Sequence, residues 1–238
     1  MADSGAPVLL AVSHGTSSRA GRTAVAALVD AVSDREAATI VRGGFVDVQR
    51  PNVRDLIDAL APDQAAVIVP LLLSAGYHVH VDITDEATAT SHAVVVADAL
   101  GPDDRLTSVL LRRLGEAGAT AADNIVLAVA GSSDERAVED CRDMGRRVSV
   151  ALGGPVELGF LAAATPSLSE AILSARADAA GGQVVVSSYL LAPGYFQDLV
   201  LAAGADVVTE PLLVADAPVP PELVALVCDR YRAAVPTH

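Results

Sequence analysis

Lysine is absent from this chain, whose sixteen basic residues are all arginine. No residue can therefore form a Schiff base with pyridoxal phosphate or serve as the lysine of a nucleotide-binding P-loop. Positive charge is scarce altogether: thirty Asp and Glu leave a net charge of −14. That balance argues against nucleic acid or an anionic membrane surface as a partner, since both need an electropositive face. There are only two cysteines, Cys141 and Cys228; they lie far apart with no CxxC or zinc-ribbon spacing and are expected to be buried free thiols. Every apolar run falls short of the roughly 18 residues that a membrane helix wants, and most are cut by Asp, Arg or Gly, so no membrane span is expected. Met1 to Pro7 carry neither the basic nor the apolar region of a secretory signal, and the expected address is the cytoplasm.

What remains is rich in core-forming side chains. Of 238 residues 52% are hydrophobic and 19% charged, enough to bury a sizeable interior as one large domain or two small ones. Apolar runs alternate with amphipathic stretches. Strands are predicted over 8–13, 39–46, 65–73 and 125–130, and helices over 20–32, 52–60, 83–100 and 135–150. The turn at Gly101-Pro102-Asp103 ends the third helix, and His92 falls on it. Continuous Val/Ile/Leu strands separated by helices are what a parallel sheet covered on both faces requires, so the class is α/β.

After Gly118 the pattern starts again. Val8-Leu9-Leu10-Ala11-Val12 before Ser13-His14-Gly15 is matched by Ile125-Val126-Leu127-Ala128-Val129 before Ala130-Gly131-Ser132. Gly44-Phe45-Val46 with Pro51 is matched by Gly159-Phe160-Leu161 with Pro166, and Leu73-Ser74-Ala75-Gly76-Tyr77 by Leu191-Ala192-Pro193-Gly194-Tyr195. The offset is nearly constant at about 116 residues, the mark of an internal duplication. Two similar lobes are expected, residues 1–120 and 121–238, each a parallel β-sheet flanked by helices.

The copies differ where chemistry would sit. His14 corresponds to Ala130, Asp47 to Ala162 and His78 to Phe196. Each of the three polar residues lies at or just past the C-terminal end of a predicted parallel strand, the edge at which open α/β sheets bind ligands. Two imidazoles and a carboxylate suit a divalent first-row metal such as Co²⁺, Fe²⁺ or Ni²⁺, and the same trio could take up protons near neutral pH. Gly15 and Gly76 beside the histidines would let a ligand approach the backbone. Asp47 could equally cap the helix near Asn52 or pair with Arg50. His80 would share a face with His78 if the chain is extended there. The turn His14-Gly15-Thr16-Ser17-Ser18-Arg19 could bind an anion at a helix start, with Arg19 and Arg22 facing it and Arg42, Arg50 and Arg54 nearby.

Ser13-His14-Gly15-Thr16, Gly44-Phe45-Val46-Asp47 with Pro51, and Pro70-Leu71-Leu72-Leu73-Ser74-Ala75-Gly76-Tyr77-His78-Val79 with Asp82-Ile83 together resemble the sirohydrochlorin chelatases of the CbiX type. The resemblance covers most of residues 8–100, and the second half follows it in degenerate form. It implies a chelatase-like fold of two α/β lobes around a cleft. The implied activity is insertion of Co²⁺ or Fe²⁺ into the tetrapyrrole sirohydrochlorin, on the way to cobalamin or sirohaem, with no organic cofactor and with the metal as substrate. His14 and His78 would hold the metal and accept the pyrrole protons, with Asp47 as a further ligand. Many members carry Glu at that position, and Asp reaches roughly 1.5 Å less far for want of one methylene. Arg19, Phe45, Gly76, Tyr77 and His80 would contact substrate, with Phe196 and Leu190 on the opposite wall and Tyr189 and Tyr195 as further contacts. A duplicated chain could complete its cleft as a monomer. A non-catalytic metal or tetrapyrrole carrier using the same histidines is the alternative. A hydrolase built on Ser13 or Ser17 with His14 lacks the GxSxG elbow.

Overall fold

The computed structural model describes residues 6–74, 77–177 and 182–236; of residues 77–82 it describes the backbone alone. The first sheet is formed by β1 (Val8–Ser13), β2 (Val41–Phe45), β3 (Ala66–Pro70) and β4 (Val94–Val96) in the order β2-β1-β3-β4, all parallel. The second repeats it with β5 (Asn124–Val129), β6 (Val156–Phe160), β7 (Val184–Tyr189) and β8 (Val207–Val208) in the order β6-β5-β7-β8. The expected two-lobed, duplicated α/β architecture is therefore present.

All six residues of β1 and all five of β3 are buried, which is why they read as continuous apolar runs. The period-2 alternation of a strand sends their side chains to two different cores. Val8, Leu10, Val12 and Ile68 face an outer layer of α2 (Val53–Asp58) and α3 (Tyr77–Thr88), where Leu56, Ile57, Ile83 and Ala87 meet them. Leu9, Ala11, Val67 and Val69 face inward. There they join one continuous core with Leu127 and Val129 of β5 and with α1 (Arg19–Arg35), α4 (Asp104–Glu116), α5 (Glu135–Leu152) and α8 (Pro221–Ala234). The outer face of the second sheet is covered by α6 (Leu168–Ala177) and α7 (Tyr195–Leu201). The layers run helix, sheet, helix, sheet, helix. The inner helices carry the required stripes, for example Gly21, Ala24, Leu28 and Val32 on α1 at three- and four-residue spacing.

The inner layer is exchanged between the halves of the chain. Helix α4 leaves the first sheet and packs against β7 and α5, while α8 returns from the second half to pack against β3 and α1. Two equivalent arginines pin the exchange. Arg113 of α4, nearly buried, donates from Nε to the Pro211 carbonyl (3.0 Å) and from Nη2 to that of Leu212 (2.9 Å). Arg230 of α8 donates from Nε to the Ala99 carbonyl (2.8 Å) and from Nη2 to that of Leu100 (3.1 Å). Tyr231 adds a 2.6 Å bond to the Pro7 carbonyl.

One predicted element is corrected. The helix expected over 83–100 instead begins at Tyr77 and ends at Thr88, and Val94–Val96 form β4, paired with β3 through Ala66 to Val94 and Ile68 to Val96. Three β-branched residues beside an open sheet edge gain more from ladder bonds than from a helical turn, and the Thr/Ser-rich 88–91 segment breaks the helix before them. His92 accordingly lies in a loop, its N–H bonded to Thr90 Oγ1. Asp103 then caps α4 through a bond from the Arg105 N–H. Among the described residues no helix is long and apolar enough to cross a membrane.

Replacing Arg113 with Leu removes its bonds to the Pro211 and Leu212 carbonyls and its ion pair with Glu116, and orphans two inner carbonyls, an expected loss of about 2–3 kcal/mol. For a chain of this size thermal unfolding should then move down by roughly 5–10 °C. A melting temperature unchanged by circular dichroism would show that the exchanged helix is held by apolar packing alone.

Candidate active site

β1 ends at the buried Ser13, and the next residue, His14, is exposed at the C-terminal edge of the first sheet. The chain from β2 crosses directly behind it. The Val46 N–H donates to the Ser13 carbonyl (2.9 Å) and the Asp47 N–H to the His14 carbonyl (3.1 Å). This crossing demands glycine at position 15, which adopts φ +97°; a Cβ there would lie 2.2 Å from the Asp47 carbonyl oxygen. The second lobe repeats the device. The Leu161 and Ala162 N–H groups bond the Val129 and Ala130 carbonyls (3.0 and 3.1 Å), and a Cβ on Gly131 (φ +86°) would meet the Ala162 oxygen at 1.9 Å. His14 and Ala130 thus occupy equivalent backbone positions, as do Asp47 and Ala162.

The loop after His14 is braced by side chains. Gln49 Oε1 accepts from the Thr16 N–H (2.8 Å), Thr16 Oγ1 from the Ser18 N–H (3.1 Å), and Ser18, the N-cap of α1, from the Gly21 N–H (3.3 Å). Arg22, one turn into α1, donates to the Ser17 carbonyl (2.9 Å).

Between the lobes lies a cavity of about 660 Å³. The first lobe contributes 13–17, Arg22, Val25, Phe45, Val48, Gln49 and 71–74; the second contributes 129–133, Cys141 and 189–196. The walls touch where a Cβ on Gly21 would stand 2.2 Å from the Pro193 carbonyl and one on Gly194 3.0 Å from Thr16 Oγ1. In a chain of net charge −14, no Asp or Glu lines this cavity among the described residues, and Arg22 does. Such a lining favours an anionic, largely apolar guest.

Two buried titratable groups sit in the wall. Burial, with the Asp140 charge adding to it, pushes the Cys141 thiol up to about 12, so it stays protonated at neutral pH. Burial likewise raises the Tyr189 phenol well above its ordinary value, and its hydroxyl donates to the Leu73 carbonyl across the cleft (2.9 Å). Cys228 is also buried and free.

His14 and Phe45 line the cavity, as do Tyr189, Leu190, Tyr195 and Phe196. Gly76 and the side chains of Tyr77, His78 and His80 lie outside the described residues. The condition set for His80, an extended chain at 78–80, does not hold, because 77–88 is helical. Asp47 is exposed at the rim and does not line the cavity; its Oδ1 accepts from the Val48 N–H (2.7 Å). It neither caps α2 nor pairs with Arg50. Asn52 caps α2 in a reciprocal box with Asp55, and Asp55 also binds Arg50 at 2.6 Å. Arg19 is exposed and off the lining, so of the first-half arginines grouped near this edge Arg22 is the one on it. Arg42 is bonded to the Ala59 carbonyl, and Arg54 faces Asp58 and Glu86. Among the described residues no three His, Cys, Asp or Glu side chains gather as a metal site. Gln49 and Cys141 were not anticipated: both become neighbours of the cleft only through pairing of distant segments, and no spacing announces them.

The CbiX family model matches residues 8–117 and then again 124–217. The chain belongs to the CbiX family. Two successive matches restate the duplication seen in the sheets. A sirohydrochlorin cobaltochelatase of Sulfolobus acidocaldarius is 29% identical over 82 residues, 33% of this chain and 67% of that protein. One from Methanosarcina barkeri is 24% identical over 123 residues, 46% of this chain and 95% of that protein, which is thus about one lobe long. Among solved structures, SirB from Bacillus subtilis with Fe³⁺ superposes with a TM-score of 0.81 at 19% identity, covering 97% of this chain and 96% of that one. SirB in complex with cobalt gives 0.76 at 15% identity, covering 97% and 95%. At these identities the likeness establishes the shared fold.

The backbone crossing behind His14 has a direct test. Gly118 also has positive φ (+78°) but nothing within 4 Å of a would-be Cβ. Gly118→Ala should cost about 1–2 kcal/mol, the left-handed penalty alone, and Gly15→Ala clearly more, since the crossing strand must also move. Equal penalties in urea unfolding would show that the crossing yields freely.

Proposed function

We propose that this protein is a sirohydrochlorin chelatase that inserts a divalent metal, Co²⁺ or Fe²⁺, into the tetrapyrrole in cobalamin or sirohaem biosynthesis. The observation that carries the reading is the cleft: apolar, free of lining carboxylates among the described residues, about 660 Å³, with His14 on its wall at the C-terminal edge of the first sheet. That volume is in the range of small-molecule pockets, roughly 300–1,000 Å³. Relatives named sirohydrochlorin cobaltochelatase, and SirB structures with iron and with cobalt, point the same way.

The chemistry needs two N–H protons removed and a metal delivered to one face of a nearly planar ring. A neutral imidazole nitrogen binds either a proton or a metal, so His14 and His78 can perform both tasks in turn. The imidazole first carries the metal; as the metal passes to the ring nitrogens, the freed imidazole accepts a pyrrole proton. No organic cofactor or nucleotide takes part, and the same donor set suits Ni²⁺ as a third metal. Asp47 joins the metal ligands by turning its carboxylate away from the Val48 N–H. Arg22, with Arg19 beyond it, attracts substrate carboxylates, and Phe45, Gly76, Tyr77 and His80 complete the contacts on this lobe. Both walls come from one chain, so the protein works as a monomer, in the cytoplasm.

Anaerobic incubation with sirohydrochlorin and Co²⁺ or Fe²⁺, followed by the absorption change on metallation, tests this reading. Wild type should accelerate insertion, and His14→Ala and His78→Ala should each lose about 10²–10⁴-fold, the usual worth of a positioned base. Metal and tetrapyrrole binding with no acceleration over the spontaneous rate would make the protein a carrier instead.

A further inference from the structure

The second lobe has lost the polar edge residues but has not become inert. Tyr195 and Phe196, on the first turn of α7, line the cavity while remaining 70% and 39% exposed. Their ring centroids are 5.9 Å apart and tilted by 50°. Two adjacent exposed rings stand out in a chain with three Phe and four Tyr in all. Phe196 occupies the sequence position that His78 holds in the other copy.

The helix carrying these rings is anchored by a buried polar cluster. Gln197, 6% exposed, donates from Nε2 to the Thr209 carbonyl (3.1 Å). Thr209 Oγ1 accepts from the Ser188 N–H (3.0 Å), and Ser188 Oγ donates to the Thr209 carbonyl (3.1 Å). At the matching positions the first half has Val79 for Gln197, Pro70 for Ser188 and Ala97 for Thr209. Gln197 Oε1 is buried with no hydrogen-bond partner among the described residues. A buried glutamine left half-satisfied is a cost to stability.

Resting on the chelatase reading, we propose that Tyr195 and Phe196 form the face on which the tetrapyrrole plane stacks, with Gln197 as the positioning residue that holds α7 and hence both rings. A macrocycle has two faces, and metal needs to enter from only one. The first lobe supplies the histidine face; the second supplies an aromatic, water-excluding one, and imidazoles there would compete for metal on the wrong side. The two copies diverged into complementary roles on one substrate.

Stacking binds substrate and transition state about equally, so its loss should raise KM far more than it lowers kcat. Titration of metal-free sirohydrochlorin, followed by its own fluorescence, and steady-state metallation provide the readouts. Tyr195→Ala with Phe196→Ala should weaken ring binding and raise KM about tenfold or more, equivalent to about 1.4 kcal/mol or above, leaving the affinity for Co²⁺ alone unchanged. Tyr195→Phe and Phe196→Tyr, which keep both rings, should restore most of the affinity. Gln197→Val should fold at least as well as wild type yet raise KM about threefold. A folded double variant with wild-type ring affinity and KM, while wild type metallates normally, would overturn the stacking face and leave the chelatase reading standing. Wild type that fails to bind the ring at all would overturn both.

Discussion

The helix exchange across the shared inner core is the constraint on which the cleft depends. Each sheet buries its inner face against a helix from its own half and one from the other, so neither half can close its core alone. Arg113 and Arg230 set the register of that exchange, each by satisfying two successive carbonyls in the segment that follows an edge strand, β8 for Arg113 and β4 for Arg230. A guanidinium fork bonded to main chain resists sliding more than apolar contact does, because displacement strands a buried charge and two acceptors together. The two C-terminal sheet edges are thereby held facing one another across a fixed gap, which a flexible linker between independent domains could not do.

Within that frame the duplication keeps backbone and frees side chains. The crossing strand behind residue 14 and its equivalent at residue 130 use the same hydrogen bonds and the same left-handed glycine. Chemistry is then chosen by what stands on the crossing: His14 and Asp47 in one lobe, two alanines in the other. Losing those groups in one copy costs the fold nothing, because both are exposed in the first lobe and contribute no core. The polar cluster beneath α7 is the reverse case, polarity added to an interior that the duplicate shows can be apolar.

Charge is partitioned in the same manner. The acidic residues lie outside the described cleft lining, many of them tied to arginines on the surface, as with Arg146 and Arg147 to Asp143 or Arg112 to Glu222. Exposed pairs of this sort add little stability. They do occupy the arginines, so Arg22 stands out as the cation presented to the cavity among the described residues.

Much of this was legible in order of residues alone. The buried strands announce themselves as Val/Ile/Leu runs because both faces are covered, and the duplication shows in local words such as Gly44-Phe45-Val46 and Gly159-Phe160-Leu161. His14 could be singled out by comparing one copy with the other. The short β4 could not be told from a helix, since three valines carry too little periodicity and their pairing with β3 is a non-local gain. Nor could the sequence say that α4 and α8 trade places, that Asp55 rather than Asp47 would pair with Arg50, or that Gln197 anchors the aromatic pair. Sequence by itself determined the buried strands of the first half, the repeat and the chemistry available at their ends, because these follow from local period and residue type. Which of those groups share a cavity was decided by tertiary structure alone, because it depends on how two distant sheets are locked across a common core.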